Sequence, residues 1–196
     1  MNTTTFSKEE DFIKESVEFI KKIAEESPNA KIALSGGSTP IHIFKELSKL
    51  NLEAEFYQVD ERYIPSTSDD SNQEMIRETL NPKNFHTFDT SLPIEDSIKK
   101  YEEELPEQFD LILLGIGPDG HTASLFPDSP DFTKPVAHTQ TNKFAIKERL
   151  TITFPTILKA KKLLILLKGQ NKKDALTKHP SSNLQKHQNI EIFYTN

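Results

Sequence analysis

Short apolar runs alternate along the chain with amphipathic segments, and this pattern predicts alternating strands and helices. The runs that predict strands lie at residues 31–34, 56–59, 85–88, 109–114, 150–154, 163–167 and 190–194. The clearest of them are apolar at almost every position, which is typical of parallel strands buried on both faces. We therefore expect an α/β fold, a Rossmann-like and mostly parallel sheet with helices on both faces.

Local signals predict where several helices begin. The pattern Ser-x-x-Glu forms candidate capping boxes at residues 7–10 and 71–74. Pro40 suits the first position of a helix, a charged helix is expected over residues 95–104, and another helix is expected after Gly169. No repeat or break in composition divides the chain, so residues 1–196 are expected to form a single domain.

Composition excludes several classes of function. The chain has 24 basic and 30 acidic side chains, and a net charge of −6 argues against broad binding of nucleic acid. The absence of cysteine excludes disulfides and thiolate chemistry. Residues 1–12 are polar and then acidic, unlike a signal peptide, and the apolar run at residues 163–167 is too short to span a bilayer. We expect a soluble, cytoplasmic protein with no membrane partner.

Glycine is scarce, and its positions indicate a site. The six glycines are Gly36, Gly37, Gly115, Gly117, Gly120 and Gly169, and each group directly follows a predicted strand. Glycine permits positive φ and close approach of a ligand to the backbone, although tight turns alone explain such positions equally well. The carboxyl ends of parallel strands share one edge of a sheet, where ligands bind in open α/β folds. We therefore expect the glycine loops to border a common crevice.

The first glycine loop has the composition of an anion site. Gly36 and Gly37 allow backbone N–H groups to turn inward, and Ser38 and Thr39 add hydroxyl donors. The alternative is an ordinary strand–helix turn with Thr39 as the N-cap. It is not a Walker loop, because no Gly-Lys-Ser/Thr follows.

The second glycine loop contains a candidate acid–base pair. Gly115, Gly117 and Gly120 fit G-x-G-x-x-G, but Asp119 would place a carboxylate in a loop meant for pyrophosphate, which disfavours dinucleotide binding. His121 beside Asp119 at a strand end can act as an acid or base near neutral pH. A histidine that is merely solvated is the alternative.

Two further strand ends carry charged side chains. Asp60, Glu61 and Arg62 follow a predicted strand, where they can orient a substrate and meet an anion, or can simply pair with one another. Lys168 and Lys172 flank Gly169, where a cation would reach phosphate, although surface lysines are the simpler interpretation.

Taken together, these motifs resemble a known family. The sequence SGGSTP at residues 35–40, DERY at 60–63, SN at 71–72, GIGPDGHTASLFP at 115–127, RLTIT at 149–153 and GQNK at 169–172 occur in the order seen in 6-phosphogluconolactonases. The resemblance spans residues 32–194 and implies the glucosamine-6-phosphate isomerase fold. The deaminases of that fold are the rival, but they place a ring-opening glutamate where this chain has Phe126.

The resemblance implies hydrolysis of 6-phospho-D-glucono-1,5-lactone, with neither metal nor organic cofactor. In this interpretation His121 is the general base, Asp119 or Asp60 orients the imidazole or the sugar hydroxyls, and Arg62 stabilises the oxyanion. The loop of residues 36–39 would hold the phosphate. The expected partner is a small sugar phosphate, and the protein is expected to be a monomer or weak homo-oligomer.

The phosphate site is expected to include two further cations, Arg149 and Lys172. Three departures from the family pattern are also visible: Ser38 stands where many relatives have arginine, the segment of residues 128–148 is short, and the chain stops at Asn196 where relatives commonly continue into a helix. A glucosamine-6-phosphate deaminase-like enzyme and a non-catalytic sugar-phosphate-binding module are the alternative functions.

Overall fold

The computed structural model describes residues 1–172 and 174–196. In chain order the strands and α-helices are β1 (Asn2–Phe6), α1 (Glu9–Glu26), β2 (Ala30–Leu34), α2 (Ile41–Leu47), β3 (Ala54–Gln58), β4 (Asp60–Arg62), α3 (Asn72–Thr79), β5 (Phe85–His86), α4 (Ile94–Glu104), β6 (Leu111–Gly115), β7 (Val136–Gln140), β8 (Glu148–Ile152), α5 (Phe154–Ile157), β9 (Leu163–Lys168) and β10 (Ile190–Thr195). Short 3₁₀ helices lie at Gln170–Lys172, Ala175–Thr177 and Ser181–Lys186.

Seven strands form a parallel sheet in the order β1-β10-β9-β6-β2-β3-β5. At its centre Leu34 of β2 lies opposite Leu113 of β6, and Leu114 lies opposite Ile165 of β9. Because all strands run in one direction, the loops that follow them emerge at the same edge. The predicted mostly parallel α/β sheet is confirmed.

Successive residues of the central strands supply two separate cores. Ile32 and Leu34 of β2 pack with the buried side chains of α1, α2 and α3, whereas Ala33 between them packs with Tyr101 of α4 and Ile157 of α5. Alternate side chains of a strand point to opposite faces, so a strand between two helical layers must be apolar throughout. The helices accordingly cover both faces, as predicted.

A second, antiparallel sheet of order β4-β8-β7 lies beside the main one, and the sequence did not predict it. The predicted strand at residues 150–154 belongs to this sheet, as do Asp60 and Arg62. The sequence also missed β1 and β7, which have few apolar residues: β1 is a largely exposed edge strand. The exposed β1 buries little surface, whereas β7 buries Thr139 beside Val136 and Ala137, so neither strand forms a continuous apolar run.

The helix starts were predicted with mixed success. The Ser71 hydroxyl accepts a hydrogen bond from the backbone N–H of Glu74 (3.2 Å), which confirms one capping box. The box predicted at Ser7 is wrong: Lys8 is the N-cap of α1 and no side chain caps it. Three acidic residues in the first turn complement the helix dipole instead. Thr39 is likewise not a cap, because the N-cap of α2 is Pro40.

The helix predicted after Gly169 is also wrong in type. The described residues there form the three short 3₁₀ helices. Across residues 1–172 and 174–196, no helix has both the length and the hydrophobicity needed to cross a membrane.

Candidate active site

The carboxyl edge of the parallel sheet opens into a cavity of about 380 Å³. This volume lies in the usual range for small-molecule sites, and the antiparallel sheet supplies one of its walls. Nine of the ten predicted site residues line the cavity: Gly36, Gly37, Ser38, Thr39, Asp60, Arg62, His121, Arg149 and Lys172. The tenth, Asp119, contacts His121 directly. The fold therefore brings together residues from five segments of the chain.

The imidazole of His121 is held by the carboxylate of Asp119. Nδ1 lies 2.5 Å from Asp119 Oδ1, which also accepts the His121 backbone N–H at 3.2 Å. The loop is closed by the N–H of Gly117, which donates to the His121 carbonyl at 2.8 Å. Because an ionised carboxylate accepts the Nδ1 proton, the lone pair of the neutral imidazole lies on Nε2, which is the form that a general base requires.

Two glycines of this loop are required by close approach. A methyl group on Gly117 would lie 2.1 Å from Cε1 and 2.2 Å from Nδ1 of His121. Gly120 has φ of +91°, and a Cβ on Gly120 would lie 2.8 Å from the carbonyl oxygen of His179. The glycine spacing that resembles a dinucleotide fingerprint thus serves here to place an imidazole.

Asp119 remains ionised because it has two donors. Its second oxygen, Oδ2, accepts a hydrogen bond from Lys143 Nζ at 2.7 Å. Partial burial raises the pKa of Asp119, but the hydrogen bonds from Lys143 and His121 outweigh burial and hold that pKa well below its usual value. The imidazole therefore faces a carboxylate throughout the pH range in which histidine titrates.

Asp60 lies in the cavity wall but is not bonded to the imidazole. It is 8% exposed, and its Oδ2 accepts a hydrogen bond from the hydroxyl of Ser124 at 2.6 Å. Its backbone carbonyl accepts the Asn72 side-chain amide at 2.9 Å. Of the two carboxylates, Asp119 orients the ring, whereas Asp60 is placed to meet a ligand in the cavity.

Glu61 has a structural position that the sequence did not reveal. Its buried carboxylate accepts five hydrogen bonds, from the side chains of Gln58 and Ser71 and from the backbone N–H groups of Arg62, Asn72 and Gln73. Burial raises the pKa of Glu61, and the hydrogen bonds counteract this effect. The charges of residues 60–62 therefore do not simply pair with one another; Glu61 ties β4 to the start of α3.

Two arginines form a cationic wall. Arg62 of β4 lies opposite Arg149 of β8, and both line the cavity. Arg62 donates one guanidinium N–H to the Asp70 carbonyl at 2.5 Å, and Arg149 donates one to the Ile146 carbonyl at 3.0 Å. The buried Nε of each arginine has no hydrogen-bond partner among the described residues. Burial, followed by the charge of Arg62, lowers the pKa of Arg149. Two like charges held together with unused donors favour binding of an anion.

The first glycine loop borders the cavity beside Asn72. A Cβ on Gly36 would lie 2.0 Å from Asn72 Oδ1, and Gly37 has φ of +92°. Within residues 1–172 and 174–196, the buried Asn72 Oδ1 and the Ser35 hydroxyl have no hydrogen-bond partner. Ser38 is exposed at the cavity rim, where it can donate to a ligand. The loop therefore offers polar groups to a ligand at close range.

The two lysines near Gly169 differ. Lys172 lines the cavity, and burial lowers its pKa. Lys168 instead forms an ion pair with Glu9 at 2.6 Å. The sequence alone could not separate these two roles.

The sequence missed three side chains near His121 and Asp60. Lys143 contacts Asp119, Ser124 contacts Asp60, and the ring of Phe144 lies 5.7 Å from that of His121 and 5.7 Å from the Arg149 guanidinium carbon. Lys143 and Phe144 lie in the loop between β7 and β8, and because β7 was not predicted, no signal placed this loop near the site. In the part of the chain that is described, no three histidine, aspartate or glutamate side chains are grouped to hold a metal ion.

The fold and the site together define an α/β protein whose cavity has the volume of a small-molecule site and a wall of two arginines. Comparison with known families narrows this class: the family model described as glucosamine-6-phosphate isomerases/6-phosphogluconolactonase matches residues 7–190. The chain belongs to this family, which confirms the resemblance found in the sequence.

Several relatives of the chain are named 6-phosphogluconolactonase. The chain is 36% identical to a probable 6-phosphogluconolactonase of Dictyostelium discoideum, over 94% of this chain and 89% of the relative. It is 35% identical to a 6-phosphogluconolactonase of Thermotoga maritima, over 85% and 82% of the two chains. A crystal structure of 6-phosphogluconolactonase from Thermotoga maritima superposes with a TM-score of 0.88 at 29% identity and covers 99% of this chain and 98% of that chain.

Proposed function

We propose that this protein is an enzyme that hydrolyses 6-phospho-D-glucono-1,5-lactone to 6-phosphogluconate, in the oxidative branch of the pentose phosphate pathway. The observation that carries the proposal is one cavity that holds an imidazole–carboxylate pair and a pair of arginines with unused donors. A lactone with a phosphate group needs both, because water must be activated at one end and an anion bound at the other. Relatives named 6-phosphogluconolactonase that align over most of both chains support the same substrate.

His121 acts as the general base in this proposal. Nε2 takes a proton from water as the water oxygen bonds to the lactone carbonyl carbon, and the carbonyl oxygen becomes an oxyanion. The bond from that carbon to the ring oxygen then breaks, and the imidazolium returns the proton to the departing oxygen. Asp119 holds the ring in the required tautomer and stabilises the imidazolium that forms transiently.

The cationic groups supply binding and charge stabilisation. We assign Arg62 to the oxyanion, because a positive charge already positioned in the cavity stabilises the negative charge that develops there. Arg149 and Lys172 contribute charge to the phosphate, with the backbone and hydroxyl groups of residues 36–39 as further donors. Asp60, held by Ser124, is assigned to the sugar hydroxyls.

The deaminase alternative is disfavoured by one residue. Phe126 lines the cavity, is 2% exposed, and its ring centroid lies 5.4 Å from that of His121. The resemblance places the ring-opening glutamate of the deaminases at this position, and a phenyl ring cannot transfer protons. Lactone hydrolysis opens the ring at the acyl carbon and needs no such group.

We also propose that residues 1–196 form one domain, that the protein is cytoplasmic, and that it is a monomer or weak homo-oligomer. Its partner is a small sugar phosphate and not nucleic acid, a proposal supported by the net charge of −6. No organic cofactor enters the proposed reaction.

The test is lactone hydrolysis corrected for the spontaneous rate, measured for the wild type, His121→Ala and His42→Ala. His42 is exposed on α2 and serves as a matched control. We expect His121→Ala to lose about 10²- to 10⁴-fold in kcat, the usual contribution of a general base, and His42→Ala to match the wild type. Equal rates for His121→Ala and the wild type would refute the assigned base. Release of ammonia from glucosamine 6-phosphate would establish the deaminase, and tight binding without turnover would establish a binding module.

A further inference from the structure

Asp119 bridges two positive or protonatable groups. Its Oδ1 contacts the imidazole of His121 at 2.5 Å, and its Oδ2 contacts the ammonium group of Lys143 at 2.7 Å. The carboxylate therefore interacts with the proposed base through one oxygen and, through the other, with a lysine from a different part of the fold. The mechanism above uses the imidazole and the carboxylate but assigns nothing to Lys143.

The loop that carries Lys143 is held in place at its base. Strands β7 and β8 pair up to Gln140 and Glu148, the backbone N–H of Thr141 donates to the Lys147 carbonyl at 3.1 Å, and the Lys143 N–H donates to the Thr141 hydroxyl at 3.1 Å. The next residue, Phe144, places its ring edge-to-face with the ring of His121. This geometry brings one ammonium group and one apolar ring to the same imidazole.

Electrostatics gives this ammonium group a direct effect on the base. A bare carboxylate beside an imidazole favours the imidazolium, which cannot accept a proton. A cation on the other carboxylate oxygen offsets that preference without removing the hydrogen bond that orients the ring. Resting on the proposed function, we propose that Lys143 is a positioning residue: it neutralises Asp119, so that His121 stays unprotonated and basic to lower pH.

Other charged groups surround the pair, but they do not occupy the same position. Asp60, Arg62, Arg149 and Lys172 line the cavity that the imidazole faces. Lys178, behind the glycine loop, donates to the Pro118 carbonyl at 2.5 Å. Among the described residues, Lys143 is the cation within hydrogen-bond distance of the Asp119 carboxylate.

The experiment compares Lys143→Met with Lys147→Met, which removes the same charge from the same loop. Lys147 is exposed, and the bond its carbonyl accepts from Thr141 survives the substitution. Two quantities are measured against pH: kcat/KM for the lactone, and the ¹H–¹⁵N NMR signals of the His121 imidazole. For Lys143→Met we expect both midpoints to rise by about 0.5–1 pH unit, since the lysine is half exposed and its charge is partly screened.

Lys147→Met is expected to shift neither midpoint by more than about 0.2 pH unit, because an exposed charge at a greater distance is largely screened. Lys143→Arg keeps the positive charge and should therefore have the wild-type midpoints. Equal shifts in the two methionine variants, or none in Lys143→Met, would overturn the assignment. If Lys143→Met does not fold, Lys143→Gln takes its place. The NMR midpoint is measured without turnover, so it tests the role of Lys143 even if the wild type has no lactonase activity. Absence of that activity would refute the proposed function alone.

Discussion

The packing of Gly117 against His121 yields a prediction with a magnitude. The perturbation is Gly117→Ala, which adds one methyl group where Cβ would lie 2.1 Å from Cε1 and 2.2 Å from Nδ1 of the imidazole. Non-bonded carbon atoms prefer separations of about 3.5–4.0 Å, so the ring must move by roughly 1.4 Å or more. The same methyl group would lie 2.8 Å from Asp119 Oδ1, so it also displaces the carboxylate that the imidazole contacts. The ring therefore cannot move away from the methyl group and keep its hydrogen bond to Asp119.

The cost is expected in catalysis more than in stability. A displacement of about 1 Å of a catalytic group typically costs about 10²-fold in rate, so we expect kcat/KM to fall by at least about 10²-fold. Gly117 does not have positive φ, and the atoms that must yield belong to the ends of side chains. The free energy of unfolding should therefore fall by only about 1–2 kcal/mol, the lower part of the range for overpacking.

The assay is lactone hydrolysis corrected for the spontaneous rate, with urea unfolding run on each variant. Gly115→Ala is the matched control, since a methyl group there meets no atom within 4 Å, and it should lose less than about tenfold in kcat/KM. The double variant Gly117→Ala/His121→Ala should be no less active than His121→Ala, because both changes act on one imidazole. Gly117→Ala with wild-type kcat/KM would refute the argument, and so would a further loss in the double variant.

Three further predictions follow from other contacts. Glu61→Ala leaves five donors, four of them buried, without their acceptor and should lower the free energy of unfolding by at least about 3 kcal/mol in urea titrations. The control Glu53→Ala, at an exposed position, should change this free energy by less than about 0.5 kcal/mol. Gly36→Ala drives a methyl group into the Asn72 amide and should raise KM about tenfold with little change in kcat, the loss of about one hydrogen bond to the substrate. Because the pKa of Asp119 is held well below its usual value, Asp119 takes up a proton only at a pH below that at which kcat/KM falls on the acid side. On the acid side, the plot of log(kcat/KM) against pH should therefore fall with slope one, and a slope of two would contradict this.

The sequence by itself determined the parallel sheet, its two helical layers and the edge at which the site lies. These features follow from local patterns: apolar runs such as that of β6 must be buried on both faces, and parallel strands end at one edge. The scarce glycines marked the loops at that edge, because Gly37 and Gly120 adopt positive φ and Gly117 admits an imidazole.

Only the tertiary structure decided which contacts the charged groups of the cavity make. Asp60 meets Ser124 across 64 positions of the chain, and Arg62 meets Arg149 through a strand pair that no local pattern predicted. Lys143 reaches Asp119 from a loop whose first strand, β7, has few apolar residues. Local periodicity reports burial, whereas the partner of a polar side chain depends on how distant segments pack. For that reason the sequence located the site, and the tertiary structure decided the surroundings of the proposed base, His121.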